Sequence, residues 1–406
     1  MSSARPILSG LVAGLALAAA LAGPLQPWSD QVLPVTSLIG TLFLNALKMV
    51  ALPLIVTTLI ASLGGLRQPP GRLGGIALAC YLANTTLAIA AGLLMANLLT
   101  PGLRSSVDVA ALLASPASGL PEATAHGWES ALLLLVPGNL TQAAAQGNLV
   151  ALVLAAVMLG LALRLLPDDL RSLQHRFWEG LQQMLMTITL WVLRVAPLGV
   201  FALVTSSASQ LGWSVLTPLL WFMATVLLAL LLHAAVNLGL VLWRLARVSP
   251  VEHARAMSPA LWMAFSTASS AATLPLTLSC LNERARVSPQ VTGLTVPLGA
   301  SLNMDGTALY ECVAVLFIAQ LLGADLGLGE QLVIVLMALA TSTGMAGIPA
   351  ASLVAIALIL DQLGLPAEAL ALLLVTDRPL DMLRTTVNVW SDSVAARVVA
   401  RYADRR

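Results

Sequence analysis

The sequence predicts an all-α membrane protein with eight transmembrane helices and two re-entrant helical hairpins, built as inverted repeats. Three observations carry that expectation. The 406 residues are 58% hydrophobic and 10% charged, with a mean hydropathy of +0.90. Soluble globular chains carry about 25% charged residues, so this chain lacks the polar surface to sit in water. Long apolar segments follow one another from end to end, and two of the later ones are broken by small residues into arms too short for a hydrocarbon core of about 30 Å.

In chain order, the first apolar segments run at about 6–24, 32–64, 74–99, 131–165, 178–208 and 213–243. The first follows Arg5 and could pass for a cleaved signal peptide. With so many apolar segments behind it, a retained first membrane helix is expected. Residues 100–130, with several Pro, Gly and Ser, form one long outer loop. From 257 onward the texture changes. Segments 257–281, 289–323, 331–362 and 365–400 are apolar but interrupted by Ser, Thr, Gly, Pro and Asp. FSTASSAATLP (265–275) and TSTGMAGIP (341–349) each sit between short apolar arms, the pattern of a re-entrant hairpin. Such backbone is tolerated at membrane depth only where protein or a water-filled cavity satisfies it. A broken hairpin followed by a helix occurs twice, over 257–323 and 331–402, so an internal repeat with a binding site between its halves is expected.

Charge gives the topology. With both hairpins counted as non-crossing, Arg67, Arg72, Arg164, Arg171 and Arg176 fall on inner loops. So do Arg244, Arg247, Arg255, Arg284 and Arg286, and then Arg397, Arg401, Arg405 and Arg406 in the tail. Outer loops carry Arg104 and otherwise acids such as Asp108, Glu122, Asp325, Glu330, Asp361 and Glu368. Both termini are therefore expected on the cytoplasmic side of the cell inner membrane.

The richest stretch is 376–406, TDRPLDMLRTTVNVWSDSVAARVVARYADRR. Spacings of four, three, four and four put Asp377, Asp381, Arg384, Asn388 and Asp392 on one stripe of a helix. In so apolar a chain that stripe is expected to face a cavity inside a membrane bundle, where charged groups are costly and mark functional sites. Arg384 is a permanently charged fork suited to a carboxylate, Asp381 suits an ammonium group, and Asn388 offers an amide to a second carboxylate. Together they sketch the three polar groups of an acidic amino acid. The competing reading is that Arg384 pairs with Asp381 or Asp377 as glue between helices.

Other classes find little support. The net charge of +1 argues against a nucleic-acid partner. Cys80, Cys280 and Cys312 have no paired or metal-ligand spacing, and His126, His175, His233 and His253 are scattered. No HExxH, GxSxG or Walker motif occurs, so no enzyme is expected. A channel or receptor using the same pocket, and an intramembrane hydrolase with paired aspartates, are the rivals. The second is disfavoured because Asp377 and Asp381 sit beside Arg384, which keeps both ionised.

SLNMDGTALYE (301–311), FSTASSAATLP, STGMAGIP and DMLRTTVNVWSDS (381–393) resemble the glutamate transporter family, the dicarboxylate/amino acid:cation symporters. NALKMVALPL (45–54) and LVPGNLTQAAAQGNLV (135–150) extend the resemblance over nearly the whole chain. It implies a homotrimer in the lipid bilayer, working as an elevator. Scaffold helices one and two would lie in 1–72, helix three of the moving part in 73–99, and the outer loop with scaffold helices four and five in 100–210. Residues 211–406 would hold the rest of the moving part: helix six, both hairpins, helix seven and helix eight.

The resemblance also assigns residues. Arg384 matches the group binding the substrate's side-chain carboxylate and Asp381 the acid binding its amine. Asn388 and Thr385 match polar partners of the main carboxylate and amine, Thr307 a further contact, and Ser270 and Ile348 hairpin-tip contacts. Having both Arg384 and Asp381 favours glutamate or aspartate; a neutral amino acid or C4-dicarboxylate carrier is the alternative. One sodium site matches Gly299, Asn303, Asn388 and Asp392. A second matches Ser301, Ser342, Thr343 and Met345, and a third Tyr81, Asn84, Thr85, Asn303 and Asp305. Asp305 could instead only cap a broken helix, and Tyr81 could simply pack.

A separate charge argument favours coupling ions. Asp305, Asp377, Asp381 and Asp392 outnumber Arg378 and Arg384, and an acidic substrate adds negative charge, so cations or protons must enter with it. Hard oxygen donors suit an alkali cation rather than a transition metal. The chain departs from the family pattern at Asn84, Ala268 and Met382; at the last two, relatives carry a second arginine. Sodium and protons both stay open as coupling ions, and no other cofactor is expected.

Overall fold

The computed structural model describes residues 4–21, 23–65, 72–103, 137–145, 149–211, 216–344 and 351–403. Among them the chain is helical, with no strand. The first half comprises α1 (Ala4–Leu21), α2 (Ser29–Gly64), α3 (Arg72–Leu99), α4 (Leu140–Ala145), α5 (Leu149–Leu163), α6 (Asp168–Arg194) and α7 (Ala196–Leu211). The second comprises α8 (Leu216–Leu231), α9 (Pro250–Thr267), α10 (Ser270–Ser279), α11 (Pro289–Leu302), α12 (Asp305–Leu321), α13 (Leu328–Gly344), α14 (Ala351–Gln362) and α15 (Leu370–Ala403). Beyond Leu231, α8 continues through π-helical Leu232–Asn237, a turn at Leu238–Val241 and π-helical Leu242–Ala246.

Packing sorts these helices. In the first half, α1 lies along α7, and α2 packs on α5, α6 and α7. Helix α3 leaves its sequence neighbours and packs on α12, α8 and α15. Helix α15 in turn contacts α9, α11 and α12, and α12 also meets α13 and α14. At the centre is α12, in which every residue but Thr307 and Gln320 is buried. A helix apolar nearly all round that still carries Asp305 and Glu311 has to be enclosed by others that supply partners.

Among the described residues, three helices are long and apolar enough to cross a membrane: Arg72–Leu99, Thr217–Ala246 and Pro289–Leu321; a bent pair, Asp168–Val192 with Ala196–Ser206, makes up to four. Helix α15 is long enough at 34 residues but carries charges along its length.

At the first small-residue run the chain turns. Ala268 takes a left-handed conformation (φ 49°), Ser269 is extended and caps α10 by accepting from Ala272 N at 3.2 Å, and Arg284 reaches back to Ala256 O at 3.3 Å. These contacts make α9 and α10 a helical hairpin, whose second arm runs on beyond Ser279 through π-helical Cys280–Arg284. Around the second small-residue run, α13 and α14 also pack together. The tip between them, including Met345, Gly347, Ile348 and Pro349, lies outside the described residues.

Gly306 shows how closely the central helices approach. A Cβ there would sit 2.7 Å from Arg384 O and 3.1 Å from Arg384 Cα, backbone atoms that cannot swing aside. Gly306→Ala is therefore expected to destabilise the fold by about 1–3 kcal/mol, seen as a lower unfolding temperature in detergent. An unchanged unfolding temperature would mean that α12 and α15 are not this close.

Candidate functional site

The stripe on α15 is almost entirely enclosed, because α3, α9, α11 and α12 surround it. Arg384 is only 1% exposed and is held on several sides. Its Nη2 donates to Asp377 Oδ1 at 2.9 Å and Asp381 Oδ1 at 3.2 Å, and its Nη1 donates to Ser352 Oγ of α14 at 2.9 Å. Its guanidinium lies 3.8 Å from the ring centroid of Tyr310, a cation–π contact. Nε is buried without a hydrogen-bond partner among the described residues. Asp381 is less enclosed, at 31% exposure, and also meets Arg378 at 3.6 Å. The ion pairing weighed from the sequence is thus present, but both acids lie on the same helix as the arginine, so it does not join one helix to another.

A second part forms where the span Pro289–Leu321 breaks. Asn303 (φ −122°, ψ 96°) and Met304 (φ −124°, ψ 60°) leave helical geometry, so the last carbonyls of α11 and the first amides of α12 lose their regular partners. One of those amides is taken by α15: Gly306 N donates to Asn388 Oδ1 at 2.8 Å, and Asn388 Nδ2 donates to Thr307 Oγ1 at 3.2 Å. Asn388 and Thr307, which the resemblance assigns as separate substrate contacts, are in direct contact with each other. Thr385 is buried on the same helix.

The expected cation ligands divide into two neighbouring clusters. In one, Asn303 Nδ2 donates to Asp392 Oδ1 at 2.9 Å and to Ser391 Oγ at 3.1 Å, and Asn84 Nδ2 donates to the same Ser391 Oγ at 3.1 Å. Asn303 Oδ1 is buried with no hydrogen-bond partner among the described residues. Asp392 Oδ1 crowds the position a Cβ would take on Gly299, and Tyr81 Oη is near it; Tyr81 itself donates to Thr295 O at 2.7 Å. In the other cluster, Asp305 accepts from Thr85 Oγ1 at 2.8 Å on Oδ1, while Oδ2 is 3.2 Å from His233 Nε2. Both Asp305 and His233 are fully buried.

The remaining expected ligands are less engaged. Ser301 is half-buried, and Ser342 Oγ donates to Leu339 O at 3.1 Å within its own helix. Thr343 belongs to α13, but its side chain, like Met345 and Ile348, lies outside the described residues. Ser270 is half-buried at the start of α10, which packs on α15, with no side-chain hydrogen bond among the described residues.

Several partners were invisible in the sequence. His233 sits 72 residues from Asp305 and reads as one more apolar-helix residue. Ser352 and Tyr310 meet Arg384 only through the tertiary fold. Glu311 lay inside a motif but was not singled out. It is 1% exposed; Oε2 is 2.5 Å from Thr341 Oγ1, and Oε1 has no hydrogen-bond partner among the described residues. A carboxyl residue within an apolar run was the available signal.

An apolar helical bundle that gathers buried charges around broken helices is the build of a membrane transport protein. The sodium:dicarboxylate symporter family model matches residues 5–402, and the chain belongs to that family. It is 33% identical to the proton/glutamate-aspartate symporter of Escherichia coli K12, over 99% of this chain and 93% of the relative. It is 31% identical to the proton/sodium-glutamate symport protein of Bacillus caldotenax, over 98% and 93%. It is also 32% identical to the neutral amino acid transporter A of Bos taurus, over 97% and 80%.

Proposed function

We propose that the protein is a secondary active symporter that takes up an acidic amino acid, L-glutamate or L-aspartate, with sodium ions or protons. The observation that carries this reading is the enclosed Arg384, bracketed by Asp377 and Asp381, one turn from the Asn388–Thr307 pair. A substrate side-chain carboxylate competes with Asp377 and Asp381 for the guanidinium and can use the unpartnered Nε–H. Asp381, the more open acid, then turns to the substrate's ammonium group. Asn388, Thr307 and Thr385 take the main carboxylate, with the hairpin tips at Ser270 and Ile348 closing over it. The names of the Escherichia coli and Bacillus relatives support the substrate class and leave both coupling ions open.

For sodium, the supporting feature is the unpartnered carbonyl oxygen of Asn303 beside Asp392, a hard oxygen donor next to a buried charge. Gly299 and Asn388 complete that site, Thr85, Asp305, Tyr81 and Asn84 a further one, and Ser301, Ser342, Thr343 and Met345 another. For protons, Glu311 is the supporting feature: a buried carboxyl with no ion-pair partner among the described residues. If Glu311 carries the coupling proton, Glu311→Gln retains exchange of internal for external substrate but loses net uptake, because its uncharged side chain cannot release a proton on the return step. Equal loss of exchange and net uptake would remove Glu311 from that role.

We further propose an elevator. Helices α3 and α8 to α15 form the moving part and α1, α2, α5, α6 and α7 the scaffold. Eight spans and two non-crossing hairpins sit in the inner membrane as a homotrimer with cytoplasmic termini. The second hairpin acts as outer gate. Substrate plus cations must favour the closed gate and a lone cation the open one, or the gradient leaks.

The substrate class is tested by thermal unfolding of purified protein in detergent. L-aspartate or L-glutamate should raise the unfolding temperature, with succinate and L-serine ineffective. Stabilisation by L-serine or succinate alone would instead favour the neutral or dicarboxylate reading.

A further inference from the structure

At the end of the bundle that charge asymmetry assigns to the cytoplasm lies a cavity of about 570 Å³, within the range of roughly 300–1,000 Å³ typical of small-molecule sites. It belongs to none of the clusters above. Three elements that meet there line it: the π-helical end of α8 with the segment after it, the turn between α10 and α11, and the last turns of α15. Its polar wall is Asn282, Arg286, Ser288, Arg397 and Arg401, and no acid lines it. Its apolar wall includes Val248, Val287 and Ala400.

The arginines reach it from separate directions. Arg397 and Arg401 stand one turn apart on α15, so both project from one face. Arg286 comes from the opposing turn, where a left-handed backbone (φ 53°) sets its direction. A non-glycine residue in that conformation is uncommon and strained, and strain is tolerated where surrounding structure or function holds it. Arg397 is half-buried, and its Nε is buried with no hydrogen-bond partner among the described residues. Of the acids near it among the described residues, Glu283 accepts from Ser279 Oγ at 3.1 Å, and Glu252 acts on Arg397 electrostatically without lining the site; Asp404 lies outside the described residues. Arginines needed only to fix topology could be spread over the inner loops. Here three converge on one cavity.

We propose that this cavity binds a phosphate group, through Arg286 and Arg397 with Arg401 beside them. Guanidinium forks match phosphate oxygens bidentately, and basic pockets between membrane helices on the cytoplasmic side suit phospholipid headgroups. The apolar wall gives a glycerol backbone a surface to lie on. A ligand there ties α8, the α10–α11 turn and α15 together at one end, and so stiffens the second half of the chain as a unit.

The test uses delipidated full-length protein in detergent, with unfolding followed by tryptophan fluorescence. Dioleoylphosphatidylglycerol and inorganic phosphate are titrated separately, against dioleoylphosphatidylcholine and chloride as controls. Binding to the folded state raises the unfolding temperature with ligand concentration. A rise of a few degrees with phosphatidylglycerol alone assigns the site to a lipid headgroup; a rise with inorganic phosphate assigns it to a soluble phosphate. Arg397→Gln should abolish the rise. Because Arg397 is half-buried, Arg286→Asn is the second variant: asparagine tolerates the left-handed turn, so the charge goes and the backbone stays. No rise with either probe, or a full rise in Arg286→Asn, overturns the proposal. Neither outcome bears on the amino acid site, since no substrate is present.

Discussion

Replacing Arg384 with serine is expected to reduce L-aspartate uptake by on the order of 100-fold or more. Arg384 is 1% exposed and holds Asp377 and Asp381 at 2.9 and 3.2 Å. Removing one partner of a buried, hydrogen-bonded charge pair costs about 2–5 kcal/mol, and each 1.4 kcal/mol is roughly tenfold. The variant leaves two carboxylates facing an anionic substrate with nothing to neutralise them. A neutral amino acid escapes part of that penalty, so some uptake of L-serine is expected to appear. Arg384→Lys separates recognition from glue. The ammonium keeps the charge beside the two acids and should restore most of the unfolding temperature. It lacks the planar fork that can serve Ser352, the acids and a substrate carboxylate together, so acidic uptake should stay low. If uptake in both variants simply follows the amount of folded protein, Arg384 is structural and the substrate assignment fails.

The second large effect is expected at Asp392. Its Oδ1 accepts from Asn303 Nδ2 at 2.9 Å, and an asparagine in its place can still accept that bond with nearly the same volume. Asp392→Asn thus removes the charge and spares the packing. A unit charge about 4 Å from a cation contributes about 4 kcal/mol at an effective dielectric constant of about 20. The cation concentration for half-maximal uptake should therefore rise at least about 100-fold, while the unfolding temperature without substrate changes little. An unchanged cation dependence would move the coupling site away from the Asn303–Asp392 pair.

How much of this was legible beforehand depended on whether the signal was local. The stripe on α15 was readable because a single helix fixes its own periodicity. The turn at Ala268 and Ser269 was readable because small polar residues broke an apolar run. The resemblance singled out Asn388 and Thr307 as separate substrate contacts, but their contact with each other was hidden, since 81 residues separate the two. The partners of Arg384 on α12 and α14, and the His233–Asp305 pair, depend on which helices become neighbours. No periodicity carries that information. The π-helical stretches of α8 were likewise hidden, because LHAAVN reads as ordinary apolar helix. The number of spans rested on hydropathy, a signal that the charges along α15 lower.

The most direct test of the central claim is uptake of radiolabelled L-aspartate into proteoliposomes, with a sodium gradient and a proton gradient imposed separately. Accumulation above the external concentration under one of the two gradients, collapsing when that gradient is dissipated, is the predicted result. Equilibration without accumulation under both gradients, or no uptake under either, would contradict coupled transport of an acidic amino acid.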